Sequence, residues 1–183
     1  MLKFFLFSVA LAFTGTMKGY CDEALLVTAN GMGPIRDDSK IDADFLKKAF
    51  PNFSVSERTE QYAEGEEGLL FEIKKGHSTY MTVEVDEHGR PWRIIVKTGP
   101  VATPSGVSIG DQLKKLEDQN REMDCETNLM DPGFYCWQEG GFDHIRYVID
   151  RSAEKGEERF KRRSPLWKKT REMTVKEIIW SLY

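Results

Sequence analysis

The chain has 183 residues, 40% of them hydrophobic, and a formal charge of −4 at neutral pH. That length and apolar content support a core of ordinary size and exclude wholesale disorder. The acidic balance disfavours nonspecific nucleic-acid binding, which requires a basic surface, so no nucleic-acid partner is expected.

The first 21 residues read as an export signal. Lys3 supplies a positive start, Phe4 to Phe13 (FFLFSVALAF) an apolar run too short to span a bilayer, and Thr14 to Thr16 the small residues that precede cleavage. Residues 22–183 are expected to form a single domain, periplasmic once exported. No later stretch reaches the roughly 20 apolar residues of a membrane span. Lipid attachment at Cys21 is not favoured, because Tyr20 stands where a lipoprotein signal carries a small residue.

Ala24 to Thr28 (ALLVT) reads as a short strand turned by Asn30-Gly31-Met32-Gly33-Pro34. A dinucleotide loop would open directly into a helix and carry a third glycine at the right spacing. Pro34 intervenes here, so the glycines are read as turn positions needing positive φ. Asp42 is placed to cap a helix whose Phe45, Leu46, Ala49 and Phe50 share one face, with Lys47 and Lys48 outward and Pro51 as the stop. From Val55 to Gly68 the chain is acid-rich (Glu57, Glu60, Glu64, Glu66, Glu67) without the calcium-loop pattern, and reads as a short strand followed by a solvated loop.

Three strands follow as an antiparallel meander: Leu69–Lys74, Thr79–Asp86 and Trp92–Thr98. In the middle one, Met81, Val83 and Val85 alternate with Tyr80, Thr82 and Glu84. Lys97 to Leu116 then repeats the order of Thr28 to Phe53: strand end, Gly-Pro turn, polar loop, capped helix. Ser108 and Asp111 supply the second cap, and Leu113 and Leu116 face inward. These two stretches are expected to be two copies of a strand–loop–helix unit. Phe134–Gln138 and His144–Asp150 form a second hairpin, and Val175–Tyr183 closes the chain as a buried strand with apolar residues on both faces. The resulting expectation is a mainly β (α+β) domain of antiparallel sheets with two short helices, sandwich-like, built of two similar halves.

Cys125 and Cys136 flank an Asp131-Pro132-Gly133 turn, and in an oxidising compartment their spacing suits a disulfide. The alternatives are two reduced thiols or half a metal site, and the latter would need further ligands. No other metal-ligand spacing occurs: His77 and His88 fall in turns and His144 in a strand. No cofactor is expected. Hydrolysis would need an elbow such as GxSxG or a Cys with a base; Ser105 lies in Pro104-Ser105-Gly106 without that context. Glu84 and Asp86 are glycosidase candidates by location alone. The feature with its own functional reading is the basic stretch Lys155 to Arg171. There Lys161, Arg162, Arg163, Trp167, Lys168 and Lys169 are candidates for contact with an anionic membrane surface, against the plainer reading of a solvated loop.

The order of these motifs resembles the YfeY-type envelope lipoproteins, a bacterial family of unknown function. The matching features are Asn30-Gly31-Met32-Gly33, Ser105-Gly106-Val107-Ser108-Ile109-Gly110, Cys125 with Cys136, His144-Ile145-Arg146-Tyr147 and Val175-Lys176-Glu177-Ile178-Ile179-Trp180. The resemblance covers most of residues 26 to 183 and implies a mainly β domain exported to the periplasm, with no established activity. The functional expectation is therefore a noncatalytic exported binding or accessory protein, not an enzyme. Its partner would be an envelope protein or surface, with peripheral membrane association as one form. A hydrolase of envelope polymers is the competing reading.

Overall fold

The structure is a computed structural model that describes residues 25–61, 67–115, 123–128, 131–138, 144–150, 160–161 and 172–182. The meander forms as the alternation requires: β5 (Glu67–Lys75), β6 (Ser78–Val85) and β7 (Pro91–Val96) pair antiparallel in sequence. β4 (Ser54–Gln61) adds to their outer side and is a full eight-residue strand, longer than its polar sequence signals. A second antiparallel set consists of β9 (Met123–Asn128), β10 (Asp131–Gln138), β11 (Ile145–Asp150) and the two-residue β12 (Phe160–Lys161). The terminal strand β13 (Val175–Ser181) pairs with β11 on one side and β7 on the other. It joins both sets into one nine-stranded sheet of order β12-β9-β10-β11-β13-β7-β6-β5-β4. Its continuous apolar run thus reflects a central strand: Ile178, Ile179 and Trp180 are all buried, on alternating faces.

A smaller four-stranded sheet consists of β1 (Leu25–Thr28), β2 (Gly31–Met32), β3 (Ile35–Arg36) and β8 (Val101–Ala102), with β8 parallel to β1. Its Leu25, Val27, Met32 and Ile35 pack with one face of the large sheet, where Phe71, Ile73, Met81, Val83, Ile94, Val96, Ile178 and Trp180 form the main core. The helix α1 (Ala43–Ala49) docks on the same core. The Asp42 carboxylate accepts from the Phe45 backbone N–H at 2.7 Å, Leu46 and Phe50 are buried, and Lys47 and Lys48 point outward. The mainly β, sandwich-like expectation holds.

Three local expectations are revised. The stretch from Ser108 makes a single 3-10 turn at residues 113–115 and no α-helix among the described residues. Its backbone is engaged elsewhere: Gly110 N–H donates to Val175 O and Leu113 N–H to Met173 O, while Val175 N–H donates to Asp111 O. The loop lies along the start of β13, and these tertiary bonds displace the i→i−4 bonds of a helix. The two strand–loop units are accordingly not equivalent. Gly33-Pro34 lies between β2 and β3, whereas Gly99-Pro100 leads out of the large sheet into β8. Asp131-Pro132-Gly133 belongs to the start of β10 as an irregularity in its ladder with β9, since a proline has no N–H to give to the ladder. Strand β9 carries no alternating apolar signal in MDCETN, and its Cys125 is buried in the core.

Candidate functional site

Beyond β8 the chain turns through Thr103-Pro104-Ser105-Gly106, and Gly106 sits at φ +70. Thr103 and Ser105 are buried. Buried hydroxyls need partners, and these two find each other and Tyr147 on β11. Thr103 Oγ1 donates to Val107 O at 2.7 Å and lies 2.9 Å from Ser105 Oγ, which lies 2.5 Å from the Tyr147 hydroxyl. One proton per hydroxyl fixes the direction: Tyr147 donates to Ser105, Ser105 to Thr103, and Thr103 to the Val107 carbonyl. Burial raises the Tyr147 phenol above its ordinary value, and its contacts with the Ser105 and Thr103 hydroxyls offset this only in part. At neutral pH it is a neutral donor. A nucleophilic serine needs a base to take its proton, and this serine gives its proton to a threonine. The hydroxyl chain ties the 103–107 loop to the large sheet.

The cysteines form a disulfide, Cys125–Cys136, with an S–S distance of 2.03 Å. They stand directly opposite each other on β9 and β10, and both face the core. Neither is available as a thiol. The histidines do not converge: His77 and His88 are exposed in turns, and His144 Nδ1–H donates to the Ser181 carbonyl at 2.9 Å. Among the described residues no group of three or more His, Cys, Asp or Glu is placed to hold a metal ion.

The other face of the large sheet is mixed. Ile95, Val148 and Ile179 form a second buried cluster with Tyr135 against it. Beside it Glu84, 2% exposed, meets Arg93 at 2.8 Å across β6 and β7. The guanidinium of Arg93 also lies over Trp92, and that of Arg146 over Trp137 at 5.8 Å. The second carboxylate, Asp86, closes its own turn, accepting from the backbone of His88 and Arg90 and from the Arg90 side chain. Burial works to raise its pKa, but the bonds from Arg90 and His88 outweigh it and hold the carboxyl below its ordinary value. Glu84 and Asp86 are thus each engaged in separate local contacts.

Of the predicted site residues, Cys125 and Cys136 are brought together as expected. Lys161 is placed by its backbone in β12 opposite Asp124. Arg162, Arg163, Trp167, Lys168 and Lys169 lie outside the described residues, as do residues 1–21, where an export signal is expected, including Cys21. The glycine pair of the first turn takes the predicted conformation, with Gly31 at φ +141 and Gly33 at φ +59. The partner of Ser105 escaped sequence reasoning. The available signal was the alternation of HIRYVID, which aims Tyr147 inward between Ile145 and Ile149, where a phenol must find a polar partner.

No family model matches the chain, and no curated protein matches it. Among solved structures it is similar to the crystal structure of the uncharacterized protein YfeY from Escherichia coli, with a TM-score of 0.64 and 21% sequence identity. The likeness covers 87% of this chain and 99% of that one. The chain shares the YfeY fold.

Proposed function

We propose that the protein is an exported, noncatalytic binding or accessory domain of the cell envelope. The observation that carries this reading is the Cys125–Cys136 disulfide in the core, because disulfides of this kind persist in oxidising compartments such as the periplasm. The signal-like residues 1–21 are consistent with it. The noncatalytic half is supported by the use of Ser105, both core cysteines, Glu84 and Asp86 in contacts that hold the fold.

Cell fractionation of the full-length chain tests the reading. The expected product is shortened near residue 21, resides in the periplasmic or membrane fraction, and resists thiol alkylation at Cys125 and Cys136 without reductant. An unprocessed, reduced cytosolic protein would overturn export. Release of soluble fragments from purified envelope polymers by the protein would establish the hydrolase instead. The membrane-surface reading rests on the composition of 155–171, and vesicle binding tests it. Equal affinity for anionic and neutral vesicles, unchanged by charge reversal at Arg162 and Arg163, would remove it.

A further inference from the structure

The nine-stranded sheet ends at β4, which pairs with β5 on one side and with no strand on the other among the described residues. Edge strands are templates for another chain and are ordinarily blunted by proline, lysine, bulges or shortness. β4 has none of these. It is eight residues long, SVSERTEQ, and its register with β5 runs unbroken from Ser54↔Lys74 to Gln61↔Glu67. What it carries is charge of both signs. Arg58 and Glu60 lie two residues apart on the same face, half exposed, with Arg58 3.7 Å from Glu60 and 3.8 Å from Glu72.

We propose that this edge pairs with a second copy of the chain, β4 antiparallel to β4, about a two-fold axis through Thr59. A two-fold perpendicular to the sheet keeps each face on its own side, so paired residue numbers must sum to an even value. Through Thr59 the two threonines meet, Arg58 of each copy faces Glu60 of the other, and Glu57 faces Gln61. Axes through Glu57, Arg58 or Glu60 would each set a charge against itself. Opposite charges and threonines directly across strands are favourable pairs, and like charges are unfavourable. The existing Arg58–Glu60 contact is exposed, and such contacts contribute little, so exchanging it for the same contact between copies costs little. The pairing would join two sheets into one. An edge contact of this size falls below the area of stable interfaces, which makes the dimer weak and concentration-dependent.

Sedimentation velocity of the purified protein at low salt, from micromolar to near-millimolar concentration, tests the proposal. A monomer–dimer equilibrium weakened by added salt is expected. Arg58→Glu raises the dissociation constant by about tenfold or more, and the exchange Arg58→Glu with Glu60→Arg restores it. In a Cys21→Ser background, Thr59→Cys crosslinks to itself under mild oxidation, because residues on the axis face each other at disulfide distance. A chain that stays monomeric throughout, a dimer indifferent to Arg58→Glu, or a Thr59→Cys variant that does not crosslink would each overturn it.

Discussion

The hydroxyl of Ser105 lies 2.5 Å from that of Tyr147, 42 residues further along the chain, and both side chains are buried. This contact holds the 103–107 loop, which follows the parallel β8, onto the large sheet. Tyr147→Phe is expected to destabilise by about 1–3 kcal/mol, because Ser105 keeps a buried oxygen without its donor. Ser105→Ala should cost a similar amount, and the two together less than their sum, since they share one network. Denaturant unfolding of the four proteins of the cycle measures this.

The same tyrosine sets a direction for alkaline pH. Its folded pKa is raised, so its stabilising contribution is complete below the unfolded value near 10.0 and falls as pH rises above that. Tyr80, also raised by burial, acts in the same sense. Stability measured against pH should therefore decline above about pH 10, and less steeply in Tyr147→Phe. A pH dependence there that the substitution leaves unchanged would contradict the assignment.

Removing the disulfide with Cys125→Ala and Cys136→Ala is expected to cost about 3 kcal/mol through the freed loop of the unfolded chain. Both sulfurs are in the core, so folded protein should be reduced slowly by dithiothreitol and rapidly only in denaturant. Thiol labelling against time, with and without urea, shows whether access requires unfolding.

Gly31 sits at φ +141, and a methyl group there would lie 2.1 Å from the Ile35 carbonyl oxygen across the β2–β3 turn. Gly76 also has a positive φ, +63, but faces open space. Gly31→Ala should destabilise by about 2–3 kcal/mol and Gly76→Ala by about 1 kcal/mol. Equal effects would mean that the hairpin can relax around the added carbon.

Glu84 is buried beside Arg93. Arg93→Ala removes this contact from a buried carboxylate, at an expected cost of about 2–3 kcal/mol, below the usual range for a buried pair because Arg93 itself is partly exposed. Adding Glu84→Gln should recover part of the loss. Thermal unfolding of the single and double variants checks the sign.

Several elements were legible because their signal is local. The 2-residue alternation of Met81, Val83 and Val85 placed β6, and Asp42 with the Phe45-Leu46-Ala49-Phe50 face placed α1. The two glycines of the first turn were read correctly as backbone positions. The 108–119 stretch has equally good local signals, yet the N–H groups of Gly110 and Leu113 go to Val175 and Met173, residues 60 or more positions away. The Ser108 hydroxyl, expected to cap a helix, donates instead to Val101 O at 2.6 Å. The apparent repeat failed for the same reason: like sequences met different neighbours.

By itself the sequence determined the strands β5, β6 and β7, the first helix, the burial of the closing strand, and a spacing of Cys125 and Cys136 that suits a disulfide. Each of these rests on periodicity, capping or short spacing. Only the tertiary structure decided that the closing strand sits between β7 and β11, that β8 runs parallel to β1, and that Ser105 answers to Tyr147. Those are pairings across long loops. Their free energy comes from burying groups together that no local pattern links, so it becomes visible only when the chain is closed.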